Sequence, residues 1–129
     1  MPTILIAEDE ETILEVLTSI LEDSGYQIRG AANGAAALAG LAAAPVDLVL
    51  SDVMMPIMDG RTVCHQMQAD PRYQAIPVIL MSAARAGLNL DACVHAAFLP
   101  KPFEVEELLE TVAQVLRAAP RLAGRGPDD

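Results

Sequence analysis

Four short apolar runs in this chain each stop on a residue that can do chemistry. "ILIA" runs into Glu8 and Asp9, "LVLS" into Asp52, "VILM" into Ser82, and "AFLP" into Lys101. Three carboxylates gathered at one place repel one another unless positive charge sits among them. Lys101 offers one such charge, and a hard divalent cation bound through oxygen would supply two more. Acids, one hydroxyl and one ammonium together suit the handling of a phosphoryl group. Cation, hydroxyl and ammonium hold its oxygens while a carboxylate attacks phosphorus. That chemistry requires a fold in which all five side chains meet.

The elements that could bring them together alternate along the chain. "TILIA" (Thr3 to Ala7) is β-branched and apolar, as a buried strand is. Ile13, Leu14, Leu17, Ile20 and Leu21 then recur at helical spacing, and Gly25 is placed to end that helix. "YQIRGA" (Tyr26 to Ala31) is a weaker strand with a polar face, suited to a sheet edge, and Asn33-Gly34 turns into an Ala-Leu helix that stops before Pro45. "VDLVLS" is a third strand, Gly60 to about Ala69 a third helix, and "IPVILMS" (Ile76 to Ser82) a fourth strand. A short, poorly patterned segment leads to "AAFL" (Ala96 to Leu99), a brief fifth strand. In the last helix Val105, Leu108, Leu109, Val112, Val115 and Leu116 form one apolar stripe. Residues 1–119 therefore read as one domain and 120–129, "PRLAGRGPDD", as a flexible tail.

Repeated βα units imply an α/β fold, a parallel sheet with helices on both faces, because crossovers are right-handed. In such folds ligands bind beyond the carboxyl ends of the strands. All four marked runs end there, so Glu8, Asp9, Asp52, Ser82 and Lys101 are expected on one rim.

Composition narrows the partners. The chain has 129 residues and a formal net charge of -10, which repels nucleic-acid phosphates and favours metal cations or a basic protein surface. Aromatics are only 3% and Trp is absent, so base stacking has no platform. Cys64 and Cys93 lack metal-ligand or redox spacing and read as reduced core residues of a cytoplasmic protein. No apolar run approaches the roughly 18 residues of a membrane span. Six methionines fit gap-filling in an Ala-rich core.

The pieces "ILIAEDE", "LVLSDVMMPIMDG", "VILMSA" and "FLPKPF", in this order and spacing, resemble the receiver domain of two-component response regulators over residues 3 to about 119. The resemblance implies a five-stranded parallel doubly wound sheet of flavodoxin-like order 2-1-3-4-5. It makes Asp52 the phosphoacceptor, charged by a sensor histidine kinase or phosphotransfer protein. It implies Mg²⁺ (or Mn²⁺) on the carboxylates of Asp9 and Asp52 and the backbone carbonyl of Met54, with Glu8 acting through water. Ser82 and Lys101 would bind the phosphoryl group, and the rotamer of Phe98 would follow Ser82. The Lys101–Pro102 bond would be cis. The chain would not be a turnover enzyme but a phosphoacceptor assisting its own phosphorylation and dephosphorylation, with phosphorylation-dependent dimerisation open to it.

Departures from the pattern carry expectations too. Met54 and Ala84 occupy the two positions that tune phosphoryl lifetime, and neither side chain can orient a water, so hydrolysis should not be fast. The stretch from Ser82 to Lys101 is about one turn short, so the fourth helix in chain order should be shortened or irregular.

Plainer explanations cover several residues. Glu10 and Glu11 suit a first helical turn through the helix dipole alone. Asp59-Gly60 is a turn and helix start, and His65 and His95 lack ligand spacing. An aspartyl phosphohydrolase of the haloacid dehalogenase type would want an acid where Met54 stands. A flavodoxin-like binder would want a Ser/Thr/Gly-rich loop where Glu8-Asp9 stands, and no P-loop or G-x-G-x-x-G occurs. A pseudo-receiver that signals without phosphate is the remaining alternative; the intact set of five argues against it.

Overall fold

A computed structural model describes residues 1–83 and 94–119. The elements are β1 (Thr3–Ala7), α1 (Glu11–Asp23), β2 (Gln27–Ala31), α2 (Gly34–Ala43), β3 (Leu48–Asp52), α3 (Gly60–Gln68), β4 (Val78–Ser82), β5 (Ala97–Pro100) and α4 (Val105–Ala118). The strands form one parallel sheet in the order β2-β1-β3-β4-β5. The expected short fourth helix and the expected tail fall on residues outside those described.

Strand alternation sorts the apolar residues into two layers. Ile4, Ile6, Leu48, Leu50, Ile79, Met81 and Leu99 pack with Leu17 and Leu21 of α1 and Leu108 and Val112 of α4. Leu5, Ala7, Val49, Val78 and Leu80 point the other way, onto Ala37 and Leu41 of α2 and Val63, Cys64 and Met67 of α3. The central strands β3 and β4 are buried at every position, which explains their unbroken apolar runs. β2 is only partly buried, with Gln27 and Gly30 exposed, Ile28 and Arg29 half-buried and Ala31 buried, because it lies at the sheet edge. The third and fourth strands start two residues later than their apolar patterns, at Leu48 and Val78. Pro77 has no N–H to donate, though its carbonyl accepts from Val49 N–H at 3.0 Å, and the β3 segment joins the ladder with Asp47 N–H donating to the Thr3 carbonyl at 2.8 Å.

Local chemistry sets the helix ends. α1 closes with the Gly25 N–H donating to the Glu22 carbonyl and the Tyr26 N–H to the Leu21 carbonyl, with Gly25 at φ 97°. Asn33 caps α2, its Oδ1 accepting from Ala36 N–H at 2.8 Å. Asp59 caps α3, its Oδ1 accepting from Thr62 N–H at 3.0 Å and its Oδ2 facing Arg61 at 3.2 Å.

Partial burial pushes the Asp59 carboxyl up, but the Thr62 amide and Arg61 guanidinium outweigh it and hold it below the ordinary 3.8. A folded pKa below the unfolded one adds stability that is complete above the unfolded value and lost as pH falls through the folded one. Asp59→Ala is therefore expected to cost about 1 kcal/mol at neutral pH. The gap should stay constant down to roughly pH 5 and close below 3.8. Urea midpoints of the two proteins across that range measure it, and a gap that persists in acid would remove the carboxylate from the cap.

Candidate functional site

The ladder continues one step past the strand ends and carries the site residues with it. Glu8 N–H donates to the Ala31 carbonyl at 3.0 Å, Val53 N–H to Met81 at 2.8 Å, and Lys101 N–H to Ser82 at 2.9 Å. The main chains on either side of each functional group are thus fixed by the sheet itself. The Lys101–Pro102 peptide bond is cis.

Glu8, Asp9 and Asp52 come together, each offering a carboxylate oxygen within 4.8 Å of the others. Their surroundings differ. Glu8 is 1% exposed and Asp52 8%, whereas Asp9 lies open to solvent. Lys101 reaches into the group, its Nζ 2.7 Å from Glu8 Oε1 and 3.2 Å from Asp52 Oδ2. The other Glu8 oxygen accepts from Glu10 N–H at 3.1 Å, so this carboxylate also satisfies an amide at the start of α1. Glu10 and Glu11 lie at the N-cap and first turn of that helix, where the dipole favours them.

Burial is the largest influence on Glu8 and raises its carboxyl above the ordinary 4.5, though the Lys101 and Glu10 hydrogen bonds pull it down. Burial alone would lower Lys101, but its bond to Glu8 and the charge of Asp52 hold the ammonium above its usual 10.5. The lysine stays charged and in place at any physiological pH.

Ser82 is 1% exposed at the end of β4. Strand parity puts it with Val78 and Leu80, while Asp52 follows Leu48 and Leu50 on the opposite face. Phe98 packs with the Ser82 face and pairs in register with Leu80. Serine and aromatic therefore share one side of the sheet. Met54 is 55% exposed in the loop between β3 and α3.

Sequence reasoning did not anticipate the direct Glu8–Lys101 pair, because it spans 93 residues and no local spacing signals it. It also did not anticipate how tightly glycine is required around Asp52. A Cβ on Gly60 would lie 2.3 Å from the Asp52 carbonyl oxygen and 2.9 Å from Ser51 Oγ, which itself donates to that carbonyl. Asp59-Gly60 in the sequence was the available signal, and it announces a turn and helix start but not the closeness of the Asp52 main chain.

The oxygen-rich, partly open cluster suits a hard divalent cation. Without one, the buried Glu8 depends on Lys101. In EDTA, Lys101→Met is expected to cost on the order of 3 kcal/mol at neutral pH, because a buried charge loses its partner. A raised carboxyl pKa adds stability below the unfolded value and loses it as pH rises through the folded one, so the deficit should shrink on acidification. Chemical denaturation at neutral and acidic pH tests this; equal midpoints at neutral pH would deny the pair its role.

Known proteins bear the same framework. The family profile "Response regulator receiver domain" matches residues 4–113. The DNA-binding dual master transcriptional regulator RpaA of Synechocystis is 34% identical over 125 residues, covering 95% of this chain and 52% of its own. The chain spans about half the length of the curated relatives it matches first. The receiver domain of a signal transduction histidine kinase from Syntrophus aciditrophicus superposes with a TM-score of 0.88 at 33% identity, covering 98% of each chain. Response regulator TrrA from Thermotoga maritima, crystallised with Mg²⁺-BeF, superposes at 0.79 with 31% identity, covering 89% of this chain and 99% of its own. With its sheet order, its acidic strand ends and its matched length all in agreement, this chain belongs to the response regulator receiver domains of two-component signalling.

Proposed function

We propose that Asp52 accepts a phosphoryl group from a phosphohistidine on a sensor histidine kinase or phosphotransfer protein, and that the acyl phosphate then switches partner affinity. The observation that carries this reading is the position of Asp52. It is a nearly buried carboxylate on a rigid strand end, 3.2 Å from an ammonium and beside two further acids. An Asp52 oxygen forms the new O–P bond as the P–N bond of the phosphoimidazole breaks, the electron pair leaving on the ring nitrogen. The strand holds that oxygen in one place, so little orientational freedom remains to be lost at the reaction.

Asp9, Asp52 and the Met54 carbonyl would hold Mg²⁺ (or Mn²⁺), with Glu8 acting through water. Bound there, the cation would offset the crowded acids and the charge of the incoming oxygens. Lys101 would exchange a carboxylate oxygen for a phosphoryl oxygen, and the Ser82 hydroxyl would donate to another. Phe98, on the face of Ser82 and without a hydroxyl, would respond by packing alone. Such a switch shifts a pre-existing equilibrium by differential contact with the phosphoryl group.

The apolar Met54 side chain orients no water, so hydrolysis of the acyl phosphate should not be fast; Ala84, the second such position, lies outside the described residues. RpaA is named as DNA-binding, yet this chain matches half of it, and a net charge of -10 disfavours DNA contact by these residues. The downstream surface is a protein partner, with dimerisation upon phosphorylation as one form of output. Cytoplasmic placement agrees with the absence, among described residues, of a helix long and apolar enough to cross a membrane.

Incubation with acetyl phosphate and Mg²⁺, followed by intact-mass spectrometry, is expected to add one phosphoryl group to the native chain. Asp52→Ala and EDTA-treated samples should gain none. Absence of the adduct in a folded native chain would leave a pseudo-receiver that binds partners by shape.

A further inference from the structure

We propose that Gly34, the first residue of α2, is a positioning residue for the cation site. It acts through the loop of residues 54–59. The inference rests on the reading that the Met54 carbonyl joins Asp9 and Asp52 around Mg²⁺, and it concerns what holds that carbonyl still. The loop is a closed arc: Gly60 N–H donates to the Val53 carbonyl at 2.9 Å, so six residues leave and return at one point. Within the arc, Met58 N–H donates to the Pro56 carbonyl at 2.7 Å around Ile57, which has φ 70°. That is a left-handed γ-turn on a β-branched residue, a conformation costing about 1–3 kcal/mol unless its surroundings impose it.

Ile57 does not impose it, because its side chain is 82% exposed. The restraint comes from neighbours. Pro56 has its φ locked by its ring. Met55 and Met58 pack against the core on the α2 and α3 side. Gly34 N–H donates to the Met58 carbonyl at 3.1 Å, and a Cβ at position 34 would stand 2.3 Å from that oxygen and 2.8 Å from Met58 Cβ. The main chains of α2 and the arc are thus in direct contact, which leaves no space for a methyl group. An added methyl displaces the Met58 carbonyl, and a six-residue arc fixed at both ends passes that displacement on to Met54. Outer groups that orient a ligand commonly change metal affinity 10–100-fold when altered.

Mg²⁺ titration calorimetry on three variants, each checked for folding by circular dichroism, tests the idea. Gly34→Ala is expected to weaken Mg²⁺ binding about tenfold or more. Asn33→Ala removes the α2 cap but keeps the Gly34–Met58 contact. Gly40→Ala crowds Leu5 Cδ1 at 3.3 Å on the same helix, far along it. Asn33→Ala should lose stability, and both variants should keep Mg²⁺ affinity within about twofold of native, since neither touches the arc. Coupling between the arc and the cation site carries a second expectation: Mg²⁺ should slow hydrogen exchange of the Gly34 amide in the native chain more than that of Ala36, whose amide is bonded to Asn33. If Gly34→Ala does not fold, the exchange measurement decides alone. Native-like affinity in Gly34→Ala, an equal loss in Asn33→Ala, or Gly34 exchange unmoved by Mg²⁺ overturns the proposal while the cation site stands. A native chain that binds no Mg²⁺ overturns the cation site and this proposal with it.

Discussion

A single ammonium, the Nζ of Lys101, joins three strand ends that like charge would otherwise drive apart. Its contacts at 2.7 Å to Glu8 and 3.2 Å to Asp52 link the ends of β1, β3 and β5. Glu8 is so deeply buried that a free carboxylate there would be very costly. The buried pair is therefore less a source of net stability than the condition under which the acids can be assembled at all. Sharing one ammonium between two carboxylates also leaves Asp52 only partly committed, so one of its contacts can be exchanged without stripping the lysine of all partners.

The sheet makes that arrangement precise enough for chemistry. Backbone ladders run through Glu8, Val53 and Lys101, so the last rung of hydrogen bonding coincides with the site. β3 and β4 have no exposed position, and the two apolar layers press on them from both sides. A carboxylate on such a strand end loses little freedom when it reacts. Parity adds a division of labour: Asp52 faces the α1 and α4 layer, while Ser82 and Phe98 face the α2 and α3 layer. Ser82 and Phe98 therefore lie together on the face opposite the one that Asp52 follows.

On that second face, the loop between β3 and α3 departs most from regular structure. It combines the γ-turn at Ile57 with two points of main-chain contact, Gly34 on Met58 and Gly60 on the Asp52 carbonyl. Strain persists where surroundings over-determine it, and here the surroundings are main chain on main chain. The loop is short and anchored at both ends, unlike the surface connections that tolerate insertion.

The sequence by itself determined much of this protein. Short unbroken apolar runs such as "LVLSD" and the helical stripe from Val105 to Leu116 revealed the elements, and the order of βα units required a parallel sheet. Because residues at the carboxyl ends of parallel strands share one rim, the assembly of Glu8, Asp9, Asp52 and Lys101 was legible from their places after those runs. Asp59-Gly60 likewise announced the start of α3, since an Asx cap is a local interaction. Tertiary structure alone decided which acids Lys101 holds, how deeply Glu8 is buried and why positions 34 and 60 exclude a side chain. Those outcomes depend on contacts between residues far apart in the chain, such as Glu8 with Lys101 and Gly34 with Met58. Local propensity carries no information about distances across a packed interior, where close packing rather than residue type settles what fits.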